Sequence, residues 1–272
     1  MSVGKILRKS LPFANVSASG IATASVTVGR TIEGFMLLMG GTTFSSANIS
    51  LVRIKVNGKQ CFEATGAQID KIAKFQGLTY PATLLPIIFT EIAGRDWLDE
   101  MVGAWDTSAG VANITMEVTI AGATAPTLDS YVIESAPQAG GVGNVMTKVL
   151  RYPYSVAAGG LLSIPLPFGP VNGAVIKRIH IEYGVANNLT ACTVKENGVV
   201  VHESVFGLMQ AYNQFYRGVN QTNTYHIDFL IDENGKNAMD TRADRTLELL
   251  PTFAAADSGF VFVEYLDTLG NL

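Results

Sequence analysis

Two Asn-Gly dipeptides, Asn57-Gly58 and Asn197-Gly198, stand 140 residues apart, and the sequence around them is written twice. Residues 84–92 (LLPIIFTEI) are echoed at the same offset by residues 224–232 (TYHIDFLID). Near the two beginnings, Lys5-Ile6-Leu7-Arg8 is echoed by Lys148-Val149-Leu150-Arg151, and Leu11-Pro12-Phe13 by Tyr152-Pro153-Tyr154. A repeat of this length is domain-sized, far beyond a solenoid period. It divides the 272 residues into two copies of one fold: a first domain at 1–136, a linker at 137–144 rich in glycine, and a second domain at 145–272. Two similar domains in one chain suit a building block of an assembly better than a catalyst.

The order of elements is the same in each copy. Residues 19–29 and 159–169 read as strands bounded by glycine. Residues 32–39 and 175–183 follow as a second strand, with alternation of period two in the second copy. In the first copy residues 35–39 are apolar throughout, which predicts a strand buried on both faces. Each Asn-Gly then closes a hairpin, because both residues tolerate the positive φ of a type I′ turn. A helix comes next, at 65–76 and about 205–217. Thr65 and Gln68 have capping-box spacing. Ile69, Ile72, Ala73 and Phe75 in one helix, and Leu208, Met209, Tyr212, Phe215 and Tyr216 in the other, are expected to pack an apolar stripe on a sheet. Strands at 84–92 and 225–231 follow, then irregular stretches at 94–110 and 232–245. A further strand is expected at 246–250. Residues 114–120 and 260–266 read as the closing strands, which places Glu117 and Glu264 at matching positions. Mostly short strands with one short helix per copy give an all-β chain of two tandem eight-stranded jelly-roll sandwiches. An immunoglobulin-like sandwich is the runner-up, disfavoured by the repeated helix.

Charged residues are only 15% of the chain against 48% apolar. That charged share is well under the ~25% of ordinary soluble domains, so surface is expected to be hidden between subunits. The net charge of −4 marks no polyanion binder. Cys61 and Cys192, one per half, read as two free, buried thiols. The longest weakly polar run, 156–168, is interrupted by glycine and proline and is short of the ~20 residues of a membrane span. The first ten residues carry positive charge, but no apolar stretch follows, so no signal peptide is expected and a cytoplasmic origin follows.

No constellation carries catalysis. The histidines, His180, His202 and His226, all lie in the second copy, and no second histidine is expected beside His180. A cupin-like metal site needs several converging ligands. No G-x-S-x-G occurs, and the glycines at 140–143 lack the lysine of a phosphate loop. Asp96, Asp99, Glu100 and Asp106 cluster around Trp97 and Trp105. They support the alternatives: a glycan-processing hydrolase using Asp96 or Asp99 with Glu117, or a tandem carbohydrate-binding module using the two tryptophans. Residues 232–235 form a turn that could bind structural calcium with ligands from elsewhere; no cofactor is expected otherwise.

Residues 223–230 (NTYHIDFL), 260–266 (FVFVEYL) and 175–184 (VIKRIHIEYG), with the Asn57-Gly58 hairpin feeding a helix, carry a resemblance. The chain resembles the double jelly-roll major capsid proteins of tailless, membrane-containing phages, of corticovirus type. The resemblance implies a non-enzymatic virion subunit. It implies homotrimers with a near-sixfold outline that tile an icosahedral shell. Neighbouring trimers, a vertex (penton) protein and an internal membrane are the implied partners, without direct nucleic-acid contact. Lys5, Arg8, Lys9, Lys148 and Arg151 are then the candidates for positive charge facing the membrane.

Overall fold

The computed structural model describes residues 4–137, 145–170 and 175–271; the expected linker lies, from 138 on, outside the described residues. The first half contains β1 (Ile6–Lys9), β2 (Gly20–Val26), β3 (Thr31–Gly40), β4 (Ile49–Val56), β5 (Lys59–Ala64), α1 (Gly66–Phe75), β6 (Leu84–Ile88), α2 (Trp97–Glu100), β7 (Trp105–Asp106), β8 (Ile114–Ile120) and β9 (Thr127–Ser135). The second half contains β10 (Val145–Val156), β11 (Gly160–Leu161), β12 (Val175–Tyr183), β13 (Leu189–Glu196), β14 (Val199–Val205), α3 (Phe206–Phe215), β15 (Thr224–Asp228), β16 (Met239–Asp240), β17 (Leu247–Phe253) and β18 (Asp257–Thr268).

In the first half one sheet has the order β1-β9-β3-β6, with β7 beside β3, and the other runs β2-β8-β4-β5. The second half repeats both orders, as β10-β18-β12-β15 with β16 beside β12, and as β11-β17-β13-β14. Two four-stranded antiparallel sheets interleaved in this way make a jelly roll, and the chain contains two. They are joined through their sheets. β5, at the edge of the first half, meets β10 of the second in a parallel bridge between Phe62 and Val149, giving one nine-stranded sheet. Met146 and Val149 of β10 consequently pack into the hydrophobic core of the first half. The second half has its own core, built around Ile179, Ile181, Tyr225, Leu249, Val263 and Tyr265.

The hairpins form as expected. Asn57 and Asn197 both have φ of 50°, and Gly58 and Gly198 have φ of 80° and 81°, the left-handed pair a type I′ turn requires. The Thr65 hydroxyl accepts from the Gln68 N–H, and the Gln68 side chain returns the bond to Thr65 N–H. Cys61 and Cys192 are free and buried.

Several expectations change. The first half closes on β9, which the sequence reading passed over; 114–120 is β8, the counterpart of β17. Glu117 and Glu264 are therefore not equivalent. Residues 84–92 form a strand only to Ile88, and 159–169 form one only at Gly160–Leu161 with a bridge at Ile164, since Pro165 and Pro167 have no N–H for a ladder. The first half also carries a second, four-residue helix, α2. β3 is not covered on both faces: Phe35, Leu37 and Met39 enter the core, while Met36 is partly open and Leu38 is exposed. The stripe on α3 does not pack as expected either. Met209 is buried, but Leu208, Tyr212, Phe215 and Tyr216 are exposed.

Candidate functional site at the seam between the two halves

α1 of the first half lies over the face of β12 and β15 that points away from the second core. Three side chains of the helix reach across. Gln68 Nε2 donates to Glu182 at 2.8 Å and Lys71 Nζ to the other oxygen of the same carboxylate at 2.6 Å. Phe75 stacks on the His226 ring with centroids 4.2 Å apart. The backbone follows, with Val219 N–H donating to Phe75 C=O. At Gly103, which has φ of +87°, a Cβ would stand 2.0 Å from Thr147 Oγ1, so the first half can approach β10 here only as glycine.

Buried charge fills the space beside α1. Arg178 lies between three carboxylates: Glu91 at 2.5 Å, Asp228 at 2.9 Å and Glu264 at 3.5 Å. Lys177, at the bulge in β12, donates to Phe89 C=O and Thr147 Oγ1 and pairs with Glu91 at 2.5 Å. Two cations thus face three carboxylates. Burial works against the ionised form of each acid, but Arg178 and Lys177 hold Glu91 below the usual range. Burial is likewise outweighed at Glu264, held down to about 2 chiefly by Arg178 and the hydrogen bond from His180. At Asp228 burial wins and pushes the acid up. Arg178 itself is raised well above its ordinary value, because the three carboxylates overcome its burial.

His180 and His226 sit directly opposite each other on β12 and β15, correcting the expectation that His180 has no histidine neighbour. Their Nδ1 atoms are 2.7 Å apart, and His180 Nε2 is 2.8 Å from Glu264 Oε1. The neutral arrangement that satisfies these contacts has His180 Nε2–H donating to Glu264 and His226 Nδ1–H donating to His180. It leaves His226 Nε2 buried without a hydrogen-bond partner among the described residues. Burial, then His180, Lys71 and Arg178, hold His226 well below 6.5. Among the described residues no group of three or more His, Cys, Asp or Glu is arranged to hold a metal ion. A cavity of about 410 Å³ opens at the seam, lined by Phe75, Glu91, Arg178, Arg217, Asp228 and Leu230 among others.

The basic residues singled out in the sequence are not one patch. Lys5 pairs with Glu33 at 3.1 Å and with Glu100, and Lys9 with Asp129 at 2.8 Å; both lysine side chains stay about half exposed. Arg8 is tied to the buried carboxylate of Glu134 at 2.5 Å. Lys148 is buried against Asp267 at 2.5 Å, and Arg151 lies over the Phe260 ring at 3.7 Å. The residues of the two alternatives have structural partners too. Asp96 caps α2, accepting from Leu98 N–H and Asp99 N–H. Asp99 accepts from Gly235 N–H, Glu117 pairs with Lys55 at 2.6 Å, and Asp106 accepts from Ser108 N–H. Trp105 is fully buried, stacked on Phe89 with its Nε1–H donating to Thr147 C=O, while Trp97 is exposed. The tryptophans form no common platform. Sequence reasoning missed the seam cluster because its members come from three strands, one helix and one loop; the only signal was the density of ionisable residues in β12.

Residues 7–133 match the viral coat protein P2 N-terminal domain, and residues 146–269 match the viral coat protein P2 C-terminal domain. Among solved structures, the chain is similar to the major capsid protein P2 from bacteriophage PM2, with a TM-score of 0.86, 19% identity and 97% of each chain covered. It is also similar to the STIV MCP, with a TM-score of 0.71, 14% identity and 97% of each chain covered. The Faustovirus major capsid protein follows at a TM-score of 0.65 and 7% identity, covering 98% of this chain and 90% of that one. At these identities the structural likeness bears on fold alone. No curated protein matches by sequence.

Proposed function

The chain belongs to the viral coat protein P2 family and is a structural capsid protein of the virion, and from that premise we propose that it works as a homotrimer. Three copies supply six jelly rolls, a block of near-sixfold outline that tiles an icosahedral shell. The observation that carries this reading is the β5–β10 bridge. One jelly roll already docks beside the other through sheet edges, so the chain contains one contact of such a ring. The family matches fall inside the proposed division into domains at 1–136 and 145–272 with a linker at 137–144. Neighbouring trimers, a vertex protein and an internal membrane are the further partners of the proposal, with synthesis in the host cytoplasm.

Purified protein should show a solution mass of about three times 29.0 kDa; a monomer mass at high concentration overturns the trimer. For the membrane, Lys5 and Lys9 are the members of the basic set whose side chains are about half exposed, which suits them to meet anionic headgroups. Lys5→Gln/Lys9→Gln should reduce flotation with anionic vesicles at low salt by several-fold. Unchanged flotation removes these residues from the proposal.

A further inference from the structure

The cavity at the seam is built by one chain from both of its halves. Its walls come from the end of α1 and the loop at 91–94 in the first half, and from β12, the end of α3 and the stretch 228–235 in the second. Its volume of about 410 Å³ falls within the ~300–1,000 Å³ of small-molecule pockets. The wall is apolar from the buried end to the mouth: Phe75 and Leu230 are each 3% exposed, and Ile92 is 54% exposed.

Positive charge is short at both levels of this cavity. At the buried end the acids Glu91, Asp228 and Glu264 face only Arg178 and Lys177. Asp228 is the least well held of the three. Leu230 N–H donates to one of its oxygens at 2.8 Å. Arg178 Nε stands 2.9 Å from the other, yet it is out of line for a hydrogen bond and has no acceptor among the described residues. Burial accordingly pushes the Asp228 acid up. Nearer solvent, half-buried Asp99 and exposed Glu233 share the wall with one exposed cation, Arg217. Both ten-residue helices also end here, α1 through residues 75–77 and α3 through residues 216–218. The C-terminal end of a helix carries partial negative charge and favours a cation.

We propose that the cavity binds a linear organic diammonium ion, with one ammonium against Asp228 and Glu91, the other against Asp99 and Glu233, and the methylenes along Phe75, Leu230 and Ile92. An ammonium brings three donors and no acceptor, which is what Asp228 lacks. An anion would meet surplus carboxylate, and a neutral apolar molecule would leave the buried deficit of charge uncorrected. A bare metal ion needs several oxygens converging on one point, and among the described residues no group of three or more His, Cys, Asp or Glu is so arranged. Because both halves line the cavity, the ligand clamps the seam: it binds the closed junction and stabilises it by mass action. The site lies within one chain and stands apart from the trimer reading.

Titration calorimetry of the full-length protein, in the oligomer in which it is isolated, tests this with putrescine at pH 7.5 and low salt. A saturable isotherm with one site per chain is expected. Butylamine, which has one ammonium, should bind several-fold more weakly, and butanediol should give no heat of binding. Asp228→Asn should weaken putrescine roughly tenfold. Ala93→Trp should weaken it by a similar factor, since it narrows the mouth without changing any charge; Ala93 is exposed, so this variant keeps the test intact if Asp228→Asn folds poorly. Absence of saturation at millimolar putrescine overturns the proposal. So does an affinity shared by butylamine, or one that Ala93→Trp leaves unchanged. Calcium chloride that displaces putrescine at matched ionic strength and binds more tightly would make this an inorganic cation site, and that too overturns it.

Discussion

Arg178→Met is expected to lower the unfolding free energy by about 4 kcal/mol, the cost of removing one partner from a buried ion pair, and the melting midpoint by roughly 10 °C. Arg178 is the shared counter-charge of Glu91, Asp228 and Glu264, all close to it and largely buried. Without it, Lys177 remains as the neighbouring cation, 2.5 Å from Glu91 but 3.9 Å from Glu264. The carboxylates would be forced toward protonation, which their burial already favours. Methionine keeps much of the side-chain volume, so the loss reports charge and not a cavity. Adding Glu91→Gln and Asp228→Asn should recover most of the loss, because the one carboxylate left, Glu264, is then balanced by Lys177, 3.9 Å away. Thermal melts of the three proteins at pH 7.5 check this. A loss under about 1 kcal/mol would show the cluster to be solvated and the seam open.

Acid should weaken the protein well before the carboxylates titrate. Burial holds His202 down to about 4, and His226 is held well below 6.5 by burial and the cations around it. Both are neutral in the folded chain, whereas an unfolded imidazole takes up a proton near 6.5. The unfolded state therefore binds more protons as the pH falls, and stability declines from about pH 6.5 downward. His202 alone accounts for about 3 kcal/mol by pH 4, and His226 adds in the same direction. Glu264 has the opposite history. Its folded-state value of about 2 lies below the usual 4.5, so its contribution is complete above 4.5 and is lost only as the pH falls toward 2. Urea midpoints should hold level from pH 8 to 7, then fall steadily to pH 4.5. His202→Gln/His226→Gln should flatten that segment. A wild-type profile level down to pH 4.5 contradicts the lowered values of His202 and His226. At the seam, a protonated His226 would face His180, Lys71 and Arg178, so the junction of the halves takes part of the loss.

The sequence was most legible where local chemistry decides. Asn-Gly turns and the Thr65 cap depend on residues a few positions apart, and both are found where spacing placed them. The repeat revealed two jelly rolls for the same reason, since each copy carries the same punctuation. β9 was missed because its inward face includes Ser130 and the buried Glu134, which blurs the alternation expected of a half-buried strand. The echo of residues 5–8 in 148–151 illustrates another limit. Strand pairing sets Arg8 opposite Val132 and Leu150 opposite Val263, equivalent positions in β9 and β18, so structural correspondence is one residue away from the verbal echo. A slip of one residue exchanges the two faces of a strand; hence Lys148 is buried although Lys5 is not. The histidine pair lay beyond local reading altogether, because it depends on the β12–β15 register. The apolar run of β3 and the stripe on α3 read locally as buried surface, yet Leu38 and four of the five stripe residues are exposed, because burial depends on what packs against a face and not on the run of residues that makes it.

Electron images of the isolated oligomer, averaged along its threefold axis, test the central claim most directly. Six lobes at nearly equal spacing around one ring are expected, two from each of three chains. A twofold dimer, or three separated pairs of lobes, would contradict the homotrimer.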